Sequence, residues 1–213
     1  MFHHFLMIWV GSEGDATTWK LQSIPSISRQ EECDKTFIPA NMIEHWSNDV
    51  PECPPGTKHC VGIFSRSSTE DYSWLMTLLT SEYFTDNIHE VKPCYISNYG
   101  FQRFINDLSQ CTFGILYHTK NRGRVNITDV IDSMYDEELD YLQMMLGQDN
   151  VIVVIDDLED SSDQEKARIL ENQPSIGRLA SDLFLISHKD KTDKMRLVAL
   201  LKNIKLFSPH GEK

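Results

Sequence analysis

The chain has 213 residues, enough for one domain of ordinary size plus extra segments, and 40% of them are hydrophobic, enough for a real core. Lys and Arg number 20 against 32 Asp and Glu, a formal net charge of −12. A protein that binds nucleic acid by neutralising phosphates needs a basic face; only Lys189 to Lys205 is locally basic, at modest density, so that class is set aside.

The amino terminus, Met1 to Asp15, has an apolar patch only from Phe5 to Val10. A bilayer span takes about 20 residues. A secretory core takes about 7–15 preceded by positive charge, which His3 and His4 do not supply. The expectation is a cytoplasmic chain without a membrane span, secreted only if residues 1–15 act as a signal. On that route alone would the sequon Asn126-Ile127-Thr128 matter. Residues 11–57 show neither helical nor strand periodicity and are broken by Pro25, Pro39, Pro51, Pro54 and Pro55. Residues 1–57 therefore read as an irregular leader, dispensable for folding, with one short helix around Ile38 to Trp46. The five cysteines (Cys33, Cys53, Cys60, Cys94, Cys111) are odd in number, and none stands at zinc-ligand spacing. They read as reduced thiols, Cys94 and Cys111 as buried small hydrophobes, with a Cys53–Cys60 bridge only in a secreted chain.

From residue 58 strands and helices alternate. Cys60 to Phe64 is a short buried strand, and Trp74, Leu75, Leu78 and Leu79 form one face of a helix. Ile88 to Ile96 is a second strand, and Phe101, Phe104, Ile105 and Leu108 space a short helix. Thr112 to Tyr117 is a third strand. Thr128 to Leu146 spaces a long helix, with Ile131, Tyr135, Leu139 and Leu142 on one side. Val151 to Ile155 is apolar without alternation, as a strand covered on both faces must be. Leu183 to Ile186 repeats that mark before a last helix, Met195 to Ile204. The pattern predicts a flavodoxin-like α/β domain: a five-stranded parallel sheet in order 2-1-3-4-5, with helices on both faces and Val61, Ile63, Ile115, Val153 and Leu185 in its middle.

Several stretches carry chemistry. Phe64-Ser65-Arg66-Ser67 ends a strand, and a polar loop follows with Asp71 and then Trp74. Such folds place their sites at the carboxyl ends of strands. Ser65, Arg66, Ser67 and Asp71 could hold a phosphate there. Plain helix capping by Ser68 or Thr69, with Glu70 and Asp71 in the first turn, explains the same composition. Asp156-Asp157 ends another strand and suits a hard cation. With Glu159, Asp160 and Asp163 beside it and no phosphate loop, a solvated acidic turn is preferred and no metal is assigned. His118 and His188 each follow a strand, but neither has the partners of a hydrolytic triad. No Gly-rich loop supports a nucleotide triphosphatase or a Rossmann dinucleotide site.

The Ser-Arg-Ser, Asp, Trp arrangement of residues 65–74 resembles the first box of the Toll/interleukin-receptor (TIR) domain. Cys94 to Gly100 stands at the second box, without its Arg-Asp and Pro-Gly pairs. Phe101 to Tyr117 is similar to the family's next helix and central strand. Glu137 to Tyr141 stands at a Glu-Leu-Asp-Phe-like segment, with Met134-Tyr135 in place of Trp-Cys, and Leu206-Phe207 echoes the third box. The resemblance covers residues 58–207 and leaves 208–213 as a tail. It implies a stand-alone module in innate-immune-type signalling that docks onto other TIR-domain proteins, or onto itself, through Tyr95, Asn98, Tyr99 and Gly100. In enzymatic members a glutamate on the third helix contacts the ribose of NAD and supports cleavage of the nicotinamide bond. Glu138 holds that place, which makes NAD the one candidate cofactor. Its neighbours Tyr135, Leu142 and Met145 give it an apolar border that raises a carboxyl pKa. With the acids around it (Asp136, Glu137, Asp140), a solvated helix flank is the preferred reading of Glu138. Three classes follow: interaction module, NAD glycohydrolase, or an unrelated flavodoxin-like nucleoside- or nucleotide-binding domain. Gly100 is expected at positive φ.

Overall fold

A computed structural model describes residues 5–8, 20–23 and 58–202. The chain divides into two units, 1–45 and 46–213. In the first, β1 (Phe5–Ile8) pairs antiparallel with β2 (Lys20–Ser23), pairing that the irregular-leader reading does not contain. The helix expected around Ile38 to Trp46 lies outside the described residues.

The second unit holds β3 (His59–Ser65), α1 (Ser73–Leu79), β4 (Ile88–Tyr95), α2 (Phe101–Leu108), β5 (Phe113–Thr119), α3 (Asp136–Leu146), β6 (Val151–Leu158), α4 (Asp163–Asn172), α5 (Pro174–Leu179), β7 (Asp182–Ser187) and α6 (Lys194–Lys202). The sheet is parallel throughout and runs β4-β3-β5-β6-β7, the flavodoxin-like order. Because side chains alternate along each strand, Val151, Val153 and Ile155 join one apolar layer while Ile152 and Val154 join the other. The first layer is closed by α2, α3, α4 and α5, the second by α1 and α6. Val61, Ile63, Ile115, Val153 and Leu185 are all buried. Among the described residues no helix is long and apolar enough to cross a membrane.

The long helix expected from Thr128 begins only at Asp136. Asp129 and Asp132 have φ of 64° and 60°, which an α-helix forbids. The Asp136 carboxylate, at the first position of α3, accepts from the Thr128 hydroxyl at 2.6 Å and the Asp129 amide at 3.1 Å and so ties the preceding loop to the helix start. Ile131, expected on the apolar face, is 88% exposed. That loop is pinned from behind: Gln173 accepts from the Ile127 and Thr128 amides, and Asp129 accepts from the Ser175 amide and hydroxyl.

Candidate functional site

The carboxyl ends of β3 and β5 are where the chain leaves the sheet toward opposite neighbours, so a crevice opens between their loops. Arg66, just past β3, reaches into it. Its Nε donates to the Met134 carbonyl at 2.9 Å, Nη1 to Asn98 Oδ1 at 2.5 Å and Nη2 to Glu138 Oε1 at 2.6 Å. One side chain thus ties the β4–α2 loop, the approach to α3 and the first turn of α3 together. Its guanidinium also lies over the Tyr135 ring, 5.7 Å from the centroid. Arg122 donates to the Arg66 carbonyl and closes the rim.

Both members of the ion pair are mostly buried, with 18% and 15% of their side chains exposed. Burial raises the Glu138 carboxyl above its ordinary value even against the pull of the Arg66 charge. Beside the pair, Tyr135 and His118 meet edge to face at 5.9 Å, and burial raises the Tyr135 phenol. His118 Nε2 faces the Arg124 carbonyl at 3.1 Å, so that nitrogen carries the proton. Burial, against that bond and with the Arg122 charge, brings the imidazole down to about 4. Among the described residues His118 Nδ1, Tyr135 Oη and Ser67 Oγ find no hydrogen-bond partner.

The structure therefore brings Arg66, Asn98 and Glu138 together and leaves other expected residues apart. The Ser65 hydroxyl accepts from the Ser67 amide at 3.0 Å. Asp71 turns back to the Ser68 amide and hydroxyl at 3.1 and 3.2 Å. That turn is self-contained. Helix α1 starts at Ser73 with Tyr72 at its cap and no side-chain capping bond, so Ser68 and Thr69 do not cap it. Tyr99 is fully exposed and Tyr95 half exposed. Gly100 has φ of −108°, not the positive value expected; a Cβ there would meet only the Ser97 hydroxyl closely, at 2.4 Å, and that hydroxyl can turn away.

The Asp156-Asp157 turn is not solvated. Asp156 is wholly buried and accepts from Trp74 Nε1 at 2.8 Å and Tyr117 Oη at 2.5 Å. Lys191 Nζ lies 2.8 Å from Asp156 Oδ2 and 2.7 Å from Asp157 Oδ1, the position a cation would take. Asp157, with φ of 59°, also accepts from Thr119 at 2.6 Å and Asn121 at 2.8 Å. Burial works against the Asp157 carboxylate, but the bonds from Lys191 and Thr119 outweigh it and hold the group below its usual range. His188 lies 3.4 Å from Asp157 and is 67% exposed, whereas His118 is buried. Sequence reasoning missed Lys191 and Tyr117, whose roles depend on partners far along the chain. A void of about 10 Å³ between α1, β6, β7 and α6 is lined by apolar side chains alone, among them Trp74, Phe184 and Leu197. At that size it takes no organic ligand.

Compared with models of protein families and with curated proteins, the chain matches none.

Proposed function

We propose that residues 58–207 act as a protein–protein interaction module of TIR type, docking onto TIR-like domains, a second copy of this chain included, through the Tyr95–Gly100 loop. The observation that carries this reading is the way the polar side chains at the crevice are used. Arg66 holds Glu138 Oε1 and, with the same guanidinium, braces Asn98 in the loop that exposes Tyr99. An exposed aromatic on a braced loop suits an interface anchor, since little conformational freedom is lost when it docks. By the resemblance, the setting is innate-immune-type signalling. The test is capture of one tagged copy of the full chain, and of a TIR domain, by a second tagged copy. Tyr99→Ala is expected to weaken capture about tenfold or more. Equal capture by wild type and variant, or no capture by either, overturns the reading.

One observation favours a second reading, NAD cleavage. Glu138 is a buried carboxyl with a raised pKa beside an unpartnered imidazole nitrogen and phenol. Nicotinamide release above a heat-killed control, abolished in Glu138→Ala with capture intact, would place the enzyme first.

A further inference from the structure

Two free thiols stand at the opposite end of β3 from Arg66, Cys60 on β3 and Cys111 in the turn before β5; a third, Cys94, pairs with Phe64 nearer the Arg66 end of the sheet. Cys111 Sγ occupies the space that Gly62 leaves; a Cβ on Gly62 would come within 2.7 Å of it. The neighbouring Cys94 and burial push the Cys111 thiol up, and it donates to the Asp107 carbonyl at 3.3 Å.

Backbone geometry selects one pair. The amide of Thr112, the residue after Cys111, donates to the Cys60 carbonyl at 2.9 Å, and the Cys60 amide donates to Thr112 Oγ1 at 3.1 Å. The α-carbons of Cys60 and Cys111 therefore flank a single backbone hydrogen bond, a spacing of the kind disulfides span, roughly 4.4–6.8 Å. Cys94 belongs to a strand on the far side of β3 from β5, so two strand spacings, roughly 9–10 Å, separate those backbones. Cys60 is half-buried, with its Sγ 3.8 Å from Glu90 Oε2, whereas Cys111 is buried. An oxidant reaches Cys60 first.

We propose that Cys60 and Cys111 form an oxidation site, converted by a hydroperoxide into an intramolecular disulfide. The Cys60 thiolate attacks the peroxide, the O–O bond breaks, and a sulfenic acid and hydroxide result. The Cys111 sulfur, losing its proton, then attacks the Cys60 sulfur; the S–O bond breaks and hydroxide leaves to become water. With hydrogen peroxide the sum is two thiols and one peroxide giving one disulfide and two waters. Burial first, then the neighbouring Cys111 and Glu90 against Lys92, pushes the Cys60 thiol up to about 11. Thiolate is scarce at neutral pH, so cross-linking accelerates about tenfold per pH unit from 7 to 10. The bond closes a loop from 60 to 111 that contains Arg66 and the Tyr95–Gly100 segment. Oxidation therefore restrains that half of the sheet whatever partner or substrate the domain takes.

The test is peptide mapping of the full chain carrying Cys33→Ser and Cys53→Ser, before and after millimolar hydrogen peroxide. A peptide linking Cys60 to Cys111, two hydrogen masses lighter than the sum of its parts, and a thermal midpoint higher by several degrees are expected. In Cys111→Ala the link disappears and Cys60 becomes trappable as sulfenic acid by a dimedone probe. In Cys60→Ser, Cys111 stays a thiol. A Cys94–Cys111 link, a Cys60–Cys60 dimer, or Cys60 unmodified at pH 10 overturns the assignment.

Discussion

Two clusters at the same end of the sheet are built from the same parts, a basic side chain and acidic ones, yet they differ in what else they hold. At β6 and β7, Lys191 is closed in by Asp156, Asp157 and the Trp74 ring, and every bond runs to a strand end or to an adjacent turn or helix. At β3 and β5, Arg66 spends one bond on its carboxylate and two on loop and helix-entry groups, Asn98 and the Met134 carbonyl. The first is a knot in the core and the second a brace for a surface loop. A buried ion pair is weak evidence of function by itself; its remaining bonds say which elements it positions.

The difference can be broken most forcefully at Lys191. Lys191→Ala leaves Asp156 wholly buried and Asp157 nearly so, both without their cation. Removing one partner of a buried pair costs about 3–5 kcal/mol. Urea denaturation should show a loss of that size, with Lys191→Arg recovering much of it. A loss under about 1 kcal/mol would mean that water replaces the ammonium and that the knot is no more buried than the brace.

A second perturbation uses pH. His118 is neutral in the folded chain down to about 4 but protonates near 6.5 when unfolded. The unfolded chain then binds more protons below pH 6.5, so stability is full above that value and falls as pH drops through the window down to about 4. At about 1.4 kcal/mol per pH unit the loss approaches about 3 kcal/mol. Burial also raises Glu138, whose folded form binds more protons than its unfolded form just above pH 4.5; its contribution has the opposite sign and offsets part of the fall. His118→Gln should flatten the urea midpoint between pH 6.5 and 4, and an unchanged slope would place the imidazole in contact with solvent.

Arg66→Ala sharpens the contrast at the brace. It strands a mostly buried carboxylate and should cost about 1–3 kcal/mol, less than the Lys191 change because Glu138 can protonate. Its particular signature is local: amide exchange at Ser97 to Gly100 should quicken, while that of β6 stays as in wild type. Faster exchange throughout the sheet would make Arg66 a core residue, as Lys191 is.

The sheet was readable because its cause is local. Val151 to Ile155 has no polar residue to offer solvent, and each apolar run ends at a polar one. Where several causes compete, spacing misleads. Ile131, Tyr135, Leu139 and Leu142 keep helical period, but Asn126 bonds the Ile131 carbonyl and the Asp136 carboxylate takes the Asp129 amide and the Ser133 hydroxyl, holding the helix back to Asp136. Helices α4 and α5 escaped notice because α4 buries only Ile169; the capping pair Ser162 and Glu165 and the first-turn Pro174 were the signals that could have found them. Glu138 was legible as a carboxylate on an apolar border. Its partner was not: Arg66 lies 72 residues away, and an ion pair between distant elements has no signature in either one. Lys191 escaped for the same reason.

The smallest expected effect is on stability and the sharpest on binding. Tyr99 is fully exposed, and none of its side-chain atoms is needed by Arg66, which holds the loop through Asn98. Tyr99→Ala should therefore leave the urea midpoint within about 0.5 kcal/mol of wild type. Asn98→Ala cuts the brace and leaves the anchor in place, so it should quicken exchange in the loop while weakening capture less than Tyr99→Ala does. If Asn98→Ala abolishes capture and Tyr99→Ala does not, the loop's shape carries the contact and the aromatic ring is incidental. If Tyr99→Ala itself unfolds the domain, the ring packs against the protein and the division between knot and brace fails at its outermost point.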